Sequence, residues 1–491
     1  MTFFQKILTN FMSINPIQRQ SLLSFGSFLT VTGLGFISTF YFAHYLGPAV
    51  LGVYFLFLAY YGIFVDLIGD GGFGGAAVKR ISEGREQNDF FTAFVILRLA
   101  LLCISIATFI VISPFLSGLQ SDGLLYWLIL ALVAGSLATM TGSALHGTAQ
   151  VGIMQVSNLF NTIMKNLVQI LAVFIGCGVA GLVAGFVAGL ITALLINYRF
   201  IPLSLSRCKR SHFTGLLSFS IWTFFSSGGL LIFTYADTIL IGLFMSESDV
   251  GIYRVALQLT GVASVIVFVF HTVLYPRVSN WHAEKQFGMI EHSLTRAFTY
   301  SLFLAIPITA GGIILSEKLL FFFYGAAFES GAPTFIILLF VQIANVFMWL
   351  LTMCLNATDR PRASFIITAA SGIINIVLNI LLIPIFGISG AAIASLITIS
   401  MNGVLAYGTL RSSLHISLDF RSVMNLVISA TVMSLFLLGY NYLIPIQTFF
   451  SLILILTISA GIYFCTVIGI DKKIRKDLTE ILVTMHLPGV S

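Results

Sequence analysis

Apolar stretches of about 20 residues or more follow one another along the whole chain, parted by short polar corners, and each is long enough to cross about 30 Å of hydrocarbon as a helix. Read this way, the sequence predicts fourteen membrane-spanning helices, at 21–45, 50–70, 91–113, 123–146, 157–176, 179–202, 214–243, 249–273, 297–322, 332–356, 363–385, 388–410, 421–442 and 446–469. The corners between them recur. LGVY at Leu51 to Tyr54 matches VGIY at Val250 to Tyr253 with a spacing of 199. LHGTAQ from Leu145 resembles LNATDR from Leu355 at 210, and GVAGLVAG from Gly178 resembles GISGAAIA from Gly387 at 209. Three pairs in the same order define a tandem repeat. Each copy holds six helices, so both start on the same side of the membrane, as parallel repeats about an axis along its normal. The expected fold is an all-α polytopic membrane protein. It comprises a segment at 1–20, an N-lobe at 21–206 (helices 1–6), a C-lobe at 207–411 (helices 7–12), two extra helices at 412–470 and a tail at 471–491.

Composition strengthens this picture, with 58% hydrophobic and 9% charged residues over 491 positions and a mean hydropathy of +1.03. Nothing is left over for a soluble domain. Charge adds direction. Twenty of the 24 Lys and Arg residues fall before helix 1, around connections that follow even-numbered helices, or in the tail. The opposite corners carry Asp122, Glu247, Asp249, Glu317 and Glu329, with Lys318 alone basic. The positive-inside rule then places both termini in the cytoplasm. The connection at 146–152 is the weak point, having no Lys or Arg. The N-terminus lacks signal-peptide order. Phe3, Phe4, Ile7, Leu8, Phe11 and Met12 beside Lys6 fit either an amphipathic segment on the membrane surface or a disordered leader.

Several chemistries are excluded. The five cysteines are scattered through apolar runs, which gives neither a disulfide framework nor a metal-ligand spacing. There is no P-loop and no metalloprotease histidine pairing. Basic connections such as Arg207 to Arg210 serve topology and contacts with membrane lipids rather than nucleic acid. No cofactor and no metal are expected, and the short external stretches argue against an enzyme such as a membrane glycan polymerase or ligase.

Charges inside the hydrocarbon are more informative, since each costs about 2.5–3.5 kcal/mol at a helix centre. Lys165 lies about 12 Å into helix 5, and Asn158, Asn161, Thr162 and Gln169 lie seven, four, three and four residues from it, on one face. Such a face should line water or an anionic ligand, or else join an ion pair. Arg98, two turns into helix 3, is a second candidate, with snorkelling as its rival. Asp237 in helix 7 and Arg254 in helix 8 fall at similar depth, giving a structural pair or a carboxylate that binds a proton or sodium. Asp66 and Asp70 share a helix face and run into GDGGFGG, where dense glycines either break the helix at a cavity or end it at the cytoplasmic surface.

The corner LGPAVLGVY, Asp237 followed by TILIGLFMSESDVGIY, the LNATDRPRA run and PIFGISGAAIA together resemble the polysaccharide-transporter branch (Wzx-type, O-antigen flippases) of the multidrug, oligosaccharidyl-lipid and polysaccharide exporter superfamily. The resemblance covers helices 1–12, and helices 13 and 14 match the family's usual extra pair. It implies a flippase of the prokaryotic cell membrane that carries an isoprenoid-pyrophosphate-linked oligosaccharide to the outer leaflet by alternating access, with proton or sodium coupling and contact with glycan polymerase machinery. On that reading Lys165, Arg98 and Arg254 form a cationic cavity for the pyrophosphate, lined by Asn158, Asn161, Thr162 and Gln169. Asp237, Asp66 and Asp70 are the ion-coupling candidates. Arg254 departs from the family, whose corner more often continues with a small or polar residue. A lipid II flippase is the nearest alternative. A multidrug cation antiporter would need acidic groups where Lys165 and Arg98 stand.

Overall fold

A computed structural model describes residues 16–116 and 123–477, without the side chains of 16–29, 222 and 225–232. The amphipathic segment at 3–12, the Asp122 corner and the tail beyond 477 lie outside the described residues. Helices α1 (Pro16–Gly62), α2 (Phe73–Ser82), α3 (Gln87–Ile112), α4 (Leu124–Gly147), α5 (Val151–Phe174), α6 (Gly178–Phe200), α7 (Arg210–Phe244) and α8 (Glu247–Thr260) come first. They are followed by α9 (Val265–Ala283), α10 (Phe287–Tyr324), α11 (Ala332–Ala357), α12 (Pro361–Phe386), α13 (Ile388–Leu410), α14 (Phe420–Leu443) and α15 (Phe449–Ile470). No strand occurs among the described residues. Eleven helical runs among them are long and apolar enough to cross a membrane. One of these, Thr30–Ile68, covers most of predicted helices 1 and 2, and α5 and α7 fall where helices 5 and 7 are predicted without being among the eleven, so the number is compatible with fourteen crossings.

The predicted corner at Gly47-Pro48 is a kink inside α1. Gly47 takes φ +73° and ψ 178°, which costs a residue with a Cβ heavily. The turn at 146–152, without basic residues, is a real connection between α4 and α5. The largest departures lie at the basic ends. Predicted helices 8 and 9 stop at 273 and resume at 297, whereas α9 runs to Ala283 and α10 begins at Phe287. These added turns carry Arg277, Trp281, His282, Glu291 and Arg296, so they are helical without being apolar and escape a search for hydrocarbon-length runs. The same happens where the chain continues as α2 to Ser82 and α3 opens at Gln87.

Two compact units result, Met1–Gly251 and Ile252–Ser491. In the first, α5 packs on α6, α6 on α4, and α2 on α4 and α7. Phe73, Ala77, Ile81, Phe94, Met140 and Leu216 form a buried cluster there. In the second, α12 packs on α13, α13 on α11, and α10 on α11 and α14. The repeat is visible in the backbone itself. Among the described residues the four non-glycine positions with positive φ form two pairs, Glu86 with Lys285 and Ala149 with Asp359, 199 and 210 apart. Gly62 precedes a π-helical segment at Ile63–Ile68, and Gly261, 199 residues later, opens a 3-10 turn at Gly261–Ser264. A Cβ on Gly181 would lie 2.6 Å from Ala172, and one on Gly390 would lie 2.3 Å from the carbonyl oxygen of Leu382, a contact between matched positions of the two copies.

Candidate functional site

The π segment after Gly62 breaks the regular helical ladder in the middle of an apolar helix, where backbone oxygens need donors; the Phe64 oxygen accepts the Gly69 N–H at 3.0 Å. Two side chains of α3 supply further donors: Arg98 Nη1 donates to the Val65 oxygen at 3.4 Å, and Ser105 Oγ to the Phe64 oxygen at 2.7 Å. Gly71 and Gly72 then take left-handed conformations and turn the chain into α2. Across that turn the Asp70 carboxylate accepts the Gly74 N–H at 3.1 Å and meets Arg98 Nη1 at 2.9 Å. Arg98 Nη2 donates to Thr139 Oγ1 at 2.5 Å. With 1% of its surface exposed, Arg98 does not snorkel. It ties α3 to the π segment, the glycine turn and α4, while its Nε remains without a partner among the described residues. Asp66 is half-buried and lies within electrostatic range of Arg98 and Asp70. The glycines therefore break the helix at a polar site, and Asp70 is not a solvated helix end.

Helix α5 meets α6 through a stripe of glycines. A Cβ on Gly185 would lie 2.8 Å from the Lys165 carbonyl oxygen and 2.4 Å from Gln169 Cγ, and one on Gly189 would lie 2.5 Å from Asn161 Oδ1. This close approach uses part of the polar face. Gln169, 1% exposed, donates to the Tyr54 hydroxyl at 2.8 Å and the Leu182 oxygen at 2.6 Å. It is a clamp between helices, and it does not line open space as the sequence suggested. Thr162 Oγ1 returns to the Asn158 oxygen at 3.0 Å, so its hydroxyl is satisfied within its own helix. Asn158 is exposed and Asn161 half-buried. Lys165 is half-buried too, and no hydrogen bond or ion pair of its ammonium is found among the described residues. A cation in that position is available to an anion from outside the chain.

Asp237 is buried on α7 in the first unit, and Arg254 is half-buried on α8 at the start of the second. At the basic end of the first unit, Glu86, Asp89 and His212 bring their donor atoms within 4.8 Å of one another. His212 Nδ1 accepts the Lys209 N–H at 2.9 Å, so the ring proton belongs on Nε2, where it reaches Glu86 at 3.0 Å. That arrangement leaves no lone pair for a metal. The cluster is a clamp holding the α6–α7 connection to α3, helped by Ser206 N–H on Thr92 Oγ1 at 2.9 Å.

Sequence reasoning missed Thr139, Ser105 and the π-segment oxygens, since hydroxyls and backbone carry no charge to mark them. It also missed the second unit's counterpart. At the 210 spacing Lys165 and Gln169 match Asn375 and Asn379, both fully buried. Asn375 Nδ2 donates to Thr398 Oγ1 at 3.3 Å, and Asn379 Nδ2 to the Asn375 oxygen at 3.0 Å. The repeat spacing applied to Lys165 would have found them.

With Arg98 buried and Lys165 half-buried in one copy of a twofold-repeated helical membrane fold, the chain has the build of a transporter, and its flippase relatives bear this out. The chain belongs to the family described as polysaccharide biosynthesis protein, which matches residues 18–282, within the exporter superfamily that the sequence resembles; the MatE family matches 223–381. It is 27% identical over 448 residues to the probable low-salt glycan biosynthesis flippase Agl15 of Haloferax volcanii, covering 91% of this chain and 93% of that protein. To the probable flippase AglR of the same organism it is 24% identical, covering 95% and 98%. Among solved structures, the lipid II flippase MurJ in an inward closed conformation superposes with a TM-score of 0.75 at 18% identity, over 93% of this chain and all of that one. An inward-facing multidrug resistance MATE transporter gives 0.64 at 14%, over 78% and 94%.

Proposed function

We propose that this protein is a flippase for a lipid-linked oligosaccharide, carrying its pyrophosphate head past the hydrocarbon from the cytoplasmic to the outer leaflet while the isoprenoid tail stays in lipid. The observation that carries the reading is Lys165, a half-buried cation with no anionic partner among the described residues. An unpaired phosphate in hydrocarbon is prohibitively costly, and a fixed cation offsets that cost most effectively where water is scarce. Relatives named as glycan flippases along nearly the whole chain support the substrate class. Both termini belong in the cytoplasm on the charge bias. Alternating access would rock the 21–206 lobe against the 207–411 lobe. Arg98 serves the site by holding the broken helix in shape, with its charge balanced by Asp70. Asp237 and Asp66 are the remaining candidates for proton or sodium coupling. A multidrug cation antiporter is disfavoured, because a bare Lys165 repels cationic substrates.

Lys165→Ala should abolish surface glycan display while the protein inserts and accumulates normally, and Lys165→Arg should retain part of it. Normal display by Lys165→Ala at matched expression would remove the role given to this residue. Coupling is tested separately in proteoliposomes, where Asp237→Asn should remove any dependence of transport on a proton or sodium gradient. Retained dependence would leave Asp237 a structural role.

A further inference from the structure

The second unit contains a cavity of about 560 Å³ that the proposed transport does not use. Phe298 of α10, Phe347 and Leu351 of α11 and Val404 of α13 give it hydrocarbon walls. Its floor is the connection between α13 and α14, through Ile416 and Leu418. That floor is fixed, since Thr295 Oγ1 donates to the Ser417 oxygen at 2.8 Å and the His415 N–H to Glu291 Oε1 at 2.6 Å, both reaching across to α10. Gly403 of α13 also lines the space, and a Cβ there would meet Phe347 Cβ and the Met348 backbone at 3.6 Å. Walls this apolar hold water poorly, and where the space is unfilled they lose dispersion contacts.

Charge selects the occupant. Arg411 follows Tyr407, a wall residue, by one helical turn, and Arg421 follows Phe420, another. Both arginines are exposed, and neither guanidinium has a hydrogen bond or ion pair among the described residues. Of the acids at this end, Asp419 is held by Lys473 at 2.7 Å and Glu291 by the His415 N–H, and neither forms an ion pair with Arg411 or Arg421 among the described residues. They lie on the side where basic residues gather, which in membrane proteins favours anionic lipid headgroups. The substrate's own tail fits less well, because a polyisoprenoid long enough to span the bilayer would leave most of its length outside this volume. We propose that the cavity holds one hydrocarbon chain of an anionic bilayer phospholipid, whose phosphate is met by Arg411 and Arg421.

Native mass spectrometry of the full-length protein in detergent, titrated with dioleoyl phosphatidylglycerol, tests this. One saturable site per chain is expected, with dioleoyl phosphatidylcholine binding more weakly and glycerol 3-phosphate not at all. Gly403→Leu and Val404→Trp should each weaken binding about tenfold by filling the chain's space, and Arg411→Gln and Arg421→Gln about fivefold each by removing a surface cation. Val404 is 68% exposed, so its replacement keeps the test alive if Gly403→Leu does not fold. Unchanged affinity in both filled variants would overturn the proposal, as would equal binding of phosphatidylcholine. One-for-one displacement by a polyprenyl pyrophosphate would also overturn it, by assigning the cavity to the substrate. Lys165→Ala should bind phosphatidylglycerol like the wild type, which separates this inference from the flippase reading.

Discussion

Arg98 and Asp70 meet at 2.9 Å with the arginine 1% exposed, so neither charge can be removed without stranding the other. Breaking such a pair from one side costs about 3–5 kcal/mol, whereas replacing both partners by apolar groups costs far less. Arg98→Met should therefore lower the melting temperature in detergent sharply, and Arg98→Met with Asp70→Leu should recover most of the loss. A single variant as stable as wild type would show that the pair contributes little. Asp66 has no such bond among the described residues, so Asp66→Asn should leave the unfolding free energy within about 0.5 kcal/mol of wild type. The charge of Arg98, Asp70 and Asp66 was legible because apolar surroundings make any charge conspicuous. Their pairing was not, because it depends on a glycine turn that bends Asp70 out of the regular helical register shared with Asp66. The sequence likewise marked Gln169 as polar on the face of Lys165, but it could not show that α6 closes over that amide.

Helices here approach through glycines, and the repeat is built on those approaches. Gly52 and Gly251, matched by the 199 spacing, both lie in the first unit. A Cβ on Gly52 would lie 1.6 Å from the Glu247 oxygen and one on Gly251 2.0 Å from the Pro48 oxygen. Gly52→Ala should cost about 2 kcal/mol or more, since backbone must move. Gly408→Ala, with open space around it, should be neutral or slightly stabilising, and thermal unfolding of the two variants gives the contrast. Repeated corners were legible for the same reason, since sequence at a close contact tolerates few substitutes. The polar helical turns at 274–283 and 287–296 were not, because they extend beyond hydrocarbon and carry no apolar signature.

Helices α14 and α15 are joined at their basic ends by Asp471. Burial alone would raise its carboxyl, but the Ile474 N–H, Asn425 and further donors outweigh that and hold it below the usual carboxylate range. A lowered carboxyl stabilises fully above its unfolded value near 3.9 and loses that contribution as pH falls through its lower folded value. Amide exchange at Ile474, corrected for intrinsic rates, should stay protected between pH 7 and 5. Asp471→Ala should lose that protection, at a cost of about 1–3 kcal/mol for the unpaired donors.

For the molecule as a whole, six-helix copies of one ancestor have diverged in charge. The first holds Lys165 and Gln169 where the second holds Asn375 and Asn379, and Ser38 where the second holds Asp237. A scaffold whose two copies differ in charge suits the proposed substrate, whose head is anionic and whose tail is not. The repeat was readable because it rests on several corners at once. The division of labour between the copies was not, because Asn375 and Asn379 are neutral and sit among small polar residues common in membrane helices. The most direct test of the central claim is reconstituted flipping of a fluorescent polyprenyl-pyrophosphate oligosaccharide by wild type and Lys165→Ala at equal incorporation. Transport that falls at least about tenfold in Lys165→Ala, the loss expected of one charge-assisted contact to phosphate, with partial rescue by Lys165→Arg, is the predicted result. Equal transport by wild type and Lys165→Ala would contradict it.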